Sequence, residues 1–143
     1  MLKGRLLHPE ILGALGRAGH GAKVLIADGN YPFSTKRGRN AGLVQLNLAP
    51  GVVSCTQILE VLAAAIPIEA AVVMDPGEGV SQPEVWSDFA SILKGAAVGV
   101  ELGRLDRFVF YEAASDDDVA LTIASGEQRI FANLLLTIGV VSP

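Results

Sequence analysis

The run Val24-Leu25-Ile26-Ala27 is apolar at every position, and it is closed by Gly21 on one side and Asp28-Gly29-Asn30 on the other. A strand this short with no polar face must be covered above and below, which is the condition of a central strand in a helix-flanked sheet. Comparable β-type segments recur at Ala70 to Met74, Val98 to Leu102, Val119 to Ala124 and Ile130 to Ile138, and Leu43 to Leu48 is extended. Between them lie stretches with helical spacing. This alternation predicts an α/β fold, a three-layer αβα sandwich around a central, mainly parallel sheet.

The helical stretches carry their own stop and start signals. Pro9 suits a first helical position after His8, and Ile11, Leu12, Leu15 and Ala18 recur at three- and four-residue spacing until Gly19 ends the pattern. Ser54 with Gln57 is a capping box ahead of Ile58-Leu59, Leu62 and Ala65-Ile66, and Pro67 closes that helix. Pro83 opens another, with Val85, Trp86, Phe89, Ile92 and Leu93 on one face. Asp106 to Ala114 is ambiguous, because Phe108 to Tyr111 favour a strand while Asp106 suits a cap; the helix is preferred. Tyr31 to Gly42 is polar and aperiodic, a loop long enough to have a task.

Composition excludes several classes of function. At 143 residues, half of them apolar, the chain predicts a single domain spanning 1–143 with a substantial core. Its net charge of -4, with thinly spread basic residues, offers no footprint for nucleic acid or an anionic membrane. The apolar window from Ile58 to Met74 is broken by Glu60, Pro67 and Glu69 and is too short to span a bilayer. The lone Cys55 cannot form an internal disulfide and no secretory leader pattern opens the chain, so a cytoplasmic setting is expected. Charge is confined to a few loops, which leaves more apolar surface than one globule hides and points to a homo-oligomer.

Glycine spacing around residues 13–21 does not make a dinucleotide fingerprint, because the glycines precede the strand instead of following it. His8 and His20 have no cysteine or carboxylate cluster at ligand spacing, so neither a metal nor another cofactor is expected. His20 lies between Gly19 and Gly21, at the opposite end of the first strand from Asp28. Two readings of it stand: a donor near the last carbonyls of a helix, or one member of an acid/base pair. Asp28 likewise reads as a turn former or as a ligand-binding carboxylate at a strand end, where α/β sheets collect their ligands.

Taken together, His8-Pro9-Glu10-Ile11-Leu12, Gly19-His20-Gly21 and Asp28-Gly29-Asn30-Tyr31-Pro32 resemble the N-terminal pattern of the ribose pyranase/fucose mutarotase (RbsD/FucU) family. The resemblance extends to Pro83-Glu84-Val85-Trp86, to Asp106-Arg107-Phe108-Val109-Phe110-Tyr111-Glu112, and to Ser125-Gly126-Glu127 with Phe131-Ala132-Asn133. Arg107 in its aromatic run points to the fucose branch. This similarity implies an RbsD-like fold and an isomerase that interconverts anomers or ring forms of a monosaccharide such as L-fucose or ribose. It also implies that no cofactor is used, and that sites lie at subunit interfaces of a cytoplasmic ring, whether pentamer, decamer or octamer.

Carried across by position, His20 matches the proton-transferring histidine and Asp28 the sugar-binding carboxylate. Arg107, Phe131, Ala132 and Asn133 match sugar-contacting positions, with Tyr31 and Tyr111 as further candidates. Phe131 departs from the family's tyrosine, and Ala22 stands where the fucose branch tends to carry an acid. The missing hydroxyl at residue 131 keeps a second reading open, a sugar-binding protein that retains the pocket but has reduced or lost turnover. Residues 22–27, fully extended at ~3.3 Å each, would hold His20 and Asp28 roughly 20 Å apart. The expectation is therefore that each site borrows a residue from a neighbouring subunit.

Overall fold

The computed structural model describes residues 2–97 and 99–142. In chain order the elements are α1 (Pro9–Arg17), β1 (Lys23–Ala27), β2 (Gly42–Gln45), α2 (Cys55–Ala63), β3 (Ile68–Met74), α3 (Val85–Ala96), β4 (Leu102–Leu105), α4 (Arg107–Ala113), β5 (Val119–Ala124) and β6 (Leu134–Ile138). The six strands form one sheet in the order β2-β5-β1-β6-β3-β4. β1 pairs parallel to β5, β2 to β5 and β3 to β4, whereas β6 runs antiparallel to both β1 and β3. Among the described residues no helix is long and apolar enough to cross a membrane.

Alternation along β1 divides the core in two. Val24 and Ile26 point to the face covered by Ile11 of α1, Leu59 and Leu62 of α2, and Trp86, Phe89 and Leu93 of α3. Leu25 and Ala27 point the other way, against Phe110 and Ala114 of the α4 segment and Tyr31 and Ala41 of the long loop. All four β1 residues from Val24 to Ala27 are fully buried, as an unbroken apolar run requires. The second face has a thinner cover, a seven-residue helix and a loop. Large apolar side chains accordingly remain exposed on α4, Phe108 at 77% and Val109 at 46%.

The capping box is present: Ser54 Oγ accepts from the Gln57 N–H and the Gln57 side chain accepts from the Ser54 N–H. Asp106 to Ala114 resolves as helix, Arg107–Ala113. Several boundaries differ from expectation: α2 stops at Ala63, short of Ala65-Ile66 and Pro67, and α3 begins at Val85 instead of Pro83. The strand expected from Val98 to Leu102 lies instead at Leu102–Leu105, with Val98 itself outside the described residues. The expected Leu43 to Leu48 segment is a strand only over Gly42–Gln45: the Leu46 N–H still donates to the Ala124 carbonyl, but the Leu46 carbonyl turns to the Val53 N–H. Ile130 to Ile138 is a strand only from Leu134, because residues 128–133 are diverted into a polar loop.

That loop is fastened at several points. The Gly126 N–H donates to the Val53 carbonyl at 2.8 Å and the Gly126 carbonyl accepts from the Gly51 N–H at 2.6 Å. A Cβ at Gly126 would collide with the Val52 and Ala49 carbonyl oxygens, so only glycine fits this approach. Glu127, 5% exposed, accepts from Arg129 Nε at 3.0 Å and Nη2 at 2.8 Å, and from the Cys55 N–H at 3.3 Å. Arg129 also reaches Asp88 Oδ2 at 2.8 Å, which ties the loop to α3.

The Arg129 guanidinium holds the Glu127 carboxyl below the usual carboxylate range, with burial opposing it. A depressed carboxylate stabilises the fold fully above its unfolded-state pKa and loses that contribution as pH falls through the folded value. Arg129 is 41% exposed, so solvent screens part of the attraction. Glu127→Gln should cost about 1–3 kcal/mol at pH 7 in urea unfolding, and the gap to wild type should narrow as pH falls below the ordinary glutamate range. A gap that stays constant from pH 7 to pH 3 would contradict this account.

Candidate functional site

Strand direction decides which loops meet. Because five strands are parallel, Ala27, Gln45, Met74, Leu105 and Ala124 all end at one edge of the sheet, and the antiparallel β6 begins there at Leu134. Asp28 after β1, Arg107 after β4 and the 125–133 loop before β6 therefore converge although they are far apart in sequence. They line a cleft of about 410 Å³ together with Asn30, Tyr31, Met74, Tyr111, Ile130, Phe131 and Asn133.

Asp28 is 2% exposed and its carboxylate is cradled rather than bare. Oδ1 accepts from the Asn30 N–H at 3.0 Å, and Oδ2 accepts from Asn133 Nδ2 at 3.0 Å and from the Ala132 N–H at 3.3 Å. Asn133 returns the bond, its Oδ1 accepting from the Asp28 N–H at 2.9 Å. Burial pushes the Asp28 carboxyl up from its ordinary range, the Asn30 and Ala132 N–H groups pull it back, and the nearby Glu127 charge adds to the rise. A carboxylate has about four lone-pair sites. Three are taken here, which leaves room for one further hydroxyl donor from the cleft.

Phe131 has φ 58°, the left-handed region that an aromatic residue rarely occupies. Such a conformation costs on the order of 1–3 kcal/mol and persists only where its surroundings impose it. Here the Trp86 indole N–H donates to the Phe131 carbonyl at 2.9 Å while the next N–H, of Ala132, turns inward to Asp28. The strained residue thus aims its ring into the cleft and its neighbour's N–H at the carboxylate. Arg107 is exposed at the head of α4, its guanidinium 5.9 Å from the centre of the Tyr111 ring. Tyr31 packs on that ring at 5.7 Å and donates its hydroxyl to the Lys36 carbonyl at 2.8 Å. Burial and the neighbouring Tyr111 push the Tyr31 phenol upward.

His20 is elsewhere. It sits at the other edge of the sheet, in the turn after α1, where Gly21 has φ 82° and donates its N–H to the Ile138 carbonyl at 2.9 Å. Its side chain is 60% exposed and its Nε2 lies 3.0 Å from Glu69 Oε2. It lines a second, wider cleft of about 770 Å³ with Arg17, Asn40, Asp117 and Asp118, and the two clefts share no lining residue. Asp28, Tyr31, Arg107, Tyr111, Phe131 and Asn133 are brought together, and Ala132 joins them through its backbone; His20 is not.

Reading the sequence alone missed three contributors: Glu69 beside His20, the Glu127-Arg129-Asp88 link beneath the 125–133 loop, and the Trp86 bond to Phe131. Only the Ser125-Gly126-Glu127 block and Trp86 carried any signal, as parts of a pattern without an assigned chemistry. Cys55 is buried, its thiol 3.2 Å from Ser125 Oγ and pushed by desolvation up to about 12, so it is not a nucleophile at neutral pH. Among the described residues no group of three or more His, Cys, Asp or Glu side chains is placed to hold a metal ion.

Residues 1–141 match the RbsD / FucU transport protein family. The chain is 35% identical to human (Homo sapiens) fucose mutarotase over 147 residues, covering 96% of this chain and 91% of that protein. Its fold superposes on FucU from Bifidobacterium longum with a TM-score of 0.78 and 34% identity, over 94% of this chain and 95% of the other. It superposes on the fucose mutarotase of Streptococcus pneumoniae, solved in complex with L-fucose, with a TM-score of 0.83 and 25% identity, over 99% and 100% of the two chains. The blocks of residues that line the cleft and its far-edge counterpart are thus part of a likeness that runs through almost the whole chain, and the chain belongs to the RbsD/FucU family.

Proposed function

We propose that residues 1–143 form one unit that works as a cofactor-free monosaccharide mutarotase, an isomerase acting on a sugar such as L-fucose or ribose. The observation that carries this reading is the convergence of Asp28, Arg107, Phe131 and Asn133 on one sugar-sized cleft at the strand ends. Its walls alternate hydrogen-bonding groups with apolar faces, as a pyranose itself does. Human fucose mutarotase, 35% identical, bears the activity in its name.

The chemistry needs little machinery. Opening a cyclic hemiacetal removes the proton of the anomeric hydroxyl, breaks the bond between the anomeric carbon and the ring oxygen, and protonates that oxygen. Rotation and reclosure then give the other anomer. His20 is the proton carrier in this reading, and Glu69, 3.0 Å from its Nε2, orients the ring as a carboxylate orients a catalytic imidazole. Asp28 accepts from a sugar hydroxyl by a charge-assisted bond, and Arg107 donates to another. Tyr31 and Phe131 cover an apolar face of the sugar, while Ala132 and Asn133 hold Asp28 in place.

His20 and this cleft lie at opposite edges of the sheet, so the reading requires a second copy to bring its His20 edge to the first copy's cleft. A contact between two unlike surfaces propagates head to tail and closes into a ring when its rotation permits. Phe108, Val109 and Ile130, exposed beside the cleft, supply apolar area for that contact. A second reading, a sugar-binding protein without turnover, is favoured by one feature, the absent hydroxyl at Phe131.

Saturation-transfer NMR on L-fucose, D-ribose and D-galactose separates the two. Exchange between anomers should run well above the buffer rate for at least one sugar, and His20→Ala should return it to within a few-fold of buffer, a loss of about 10²-fold or more. Binding without accelerated exchange would select the second reading, and neither binding nor exchange would defeat both. Asn133→Leu should weaken sugar binding and also cost about 1–3 kcal/mol of stability, because the Asp28 carboxylate and N–H each lose a partner while buried. Unchanged urea unfolding of that variant would contradict the described role of the pair.

A further inference from the structure

Phe131 and Ala132 share one peptide unit, and that unit is gripped at both ends. A trans peptide is planar, with its C=O and N–H pointing in opposite directions. Here the C=O accepts from the Trp86 indole N–H at 2.9 Å, and the N–H donates to Asp28 Oδ2 at 3.3 Å. Turning the plane would break both bonds at once. The grip is needed because Phe131 sits at φ 58°, a conformation that its own side chain disfavours. Asp28 is one anchor of the plane, and the indole, from the first turn of α3, is the other.

The indole is itself held firmly. Trp86 is 2% exposed and packs in the core with Phe89 and Leu93 of the same helix. Arg104 of the edge strand β4 lies over its ring, Cζ 4.9 Å from the centre, and is held there by a 2.7 Å bond from Nη2 to Gln82 Oε1. Burial and cation–π stacking fix the plane of the indole, and with it the direction of its N–H. Of the three donors to Asp28, the Asn30 N–H is local and Asn133 belongs to a reciprocal pair. The Ala132 N–H alone is aimed by a residue that does not line the cleft.

We propose that Trp86 is a positioning residue of the sugar site: through the peptide unit of Phe131 and Ala132, its indole N–H aims the Asp28 carboxylate that receives the sugar hydroxyl. The inference rests on the mutarotase reading and adds to it the element that sets Asp28. Indole N–H, peptide and carboxylate form a chain of hydrogen bonds whose members polarise one another. Without the indole N–H the peptide plane is free to turn and the Ala132 N–H leaves Oδ2. The carboxylate then loses its setting, and its proton affinity rises because that N–H no longer favours the charged form. The other groups that face Asp28 keep their places: Glu127 with its partner Arg129, Cys55 of α2, Tyr31, and Arg107 and Tyr111 of α4.

The chain has one tryptophan, so its indole N–H gives a single proton–nitrogen NMR resonance in the wild-type protein. That resonance should move with pH at the same midpoint as the Asp28 carboxyl carbon, and should shift again on saturation with L-fucose. Glu127, held below the usual carboxylate range, titrates lower and is thereby told apart. Trp86→Phe keeps an aromatic ring in the core and removes the N–H. It should raise KM for L-fucose anomer exchange about tenfold with kcat within about threefold, and should move the acid limb of kcat/KM to higher pH. Asp88→Asn cuts the other bond between α3 and this loop, from Arg129 Nη1, and should leave KM within about twofold. A merely structural indole would instead lower the folded fraction, and with it the apparent kcat, at unchanged KM. An indole resonance that stays still while Asp28 titrates overturns the proposal, as does a folded Trp86→Phe chain with the KM and acid limb of wild type. Failure of the underlying reading looks different: wild type would exchange L-fucose no faster than buffer, while the indole and Asp28 would still titrate together.

Discussion

Everything at the cleft hangs on the reciprocal bond between Asp28 and Asn133. Backbone N–H to amide oxygen in one direction and amide nitrogen to carboxylate in the other, it joins the end of β1 to the start of β6. The pair is possible because β6 runs against β1, so that its start and the end of β1 fall at the same edge. Once made, it determines the neighbours. The Ala132 N–H must point inward to the second carboxylate oxygen, which forces Phe131 into the left-handed region, and the Trp86 indole then meets the carbonyl that this conformation exposes. A buried carboxylate is costly unless hydrogen-bonded, and here the bonds that satisfy it also shape the ligand cleft.

The same strand order that assembles one cleft divides the chemistry. A sheet whose strands run mostly one way has two unlike edges. The edge at the strand ends has Asp28, Arg107 and Tyr111; the edge at the strand starts has His20, paired with Glu69. No rearrangement of a turn closes that gap, because β1 itself stands between them with all of Val24 to Ala27 packed in the core. In the proposed mutarotase the acid/base histidine must therefore arrive from another copy of the chain, and assembly becomes part of the active site.

Much of this was legible in the residues. The β1 run announced a doubly covered strand because four consecutive apolar residues leave no face for water, and the Ser54 and Gln57 capping box announced α2 because its two bonds are local. The misplaced β4 shows the opposite case. Leu102–Leu105 contains Gly103 and Arg104 and makes an edge strand through pairing with β3, a long-range fact that its own sequence hides. At the cleft, Asp28 was marked by its place at a strand end as well as by resemblance, whereas Arg107, Phe131 and Asn133 were marked by resemblance alone, since no spacing reveals that loops about a hundred residues apart share a sheet edge. Glu69 and the Glu127-Arg129-Asp88 link were invisible for the same reason. Their partners are set by packing, and a surface-looking charge in sequence becomes a positioned one only when the fold brings its counterion.

The account stands or falls on whether a working site is shared between copies. His20→Ala and Asp28→Asn chains, each silent alone in L-fucose anomer exchange, can be unfolded together at equal amounts, refolded and assayed. Sites that draw His20 from one copy and Asp28 from its neighbour predict recovery to about a quarter of wild-type exchange, the share of random head-to-tail contacts in which both residues are intact. Co-assembled mixtures that remain as silent as either variant alone would contradict it, and would return the histidine to the chain that carries the aspartate.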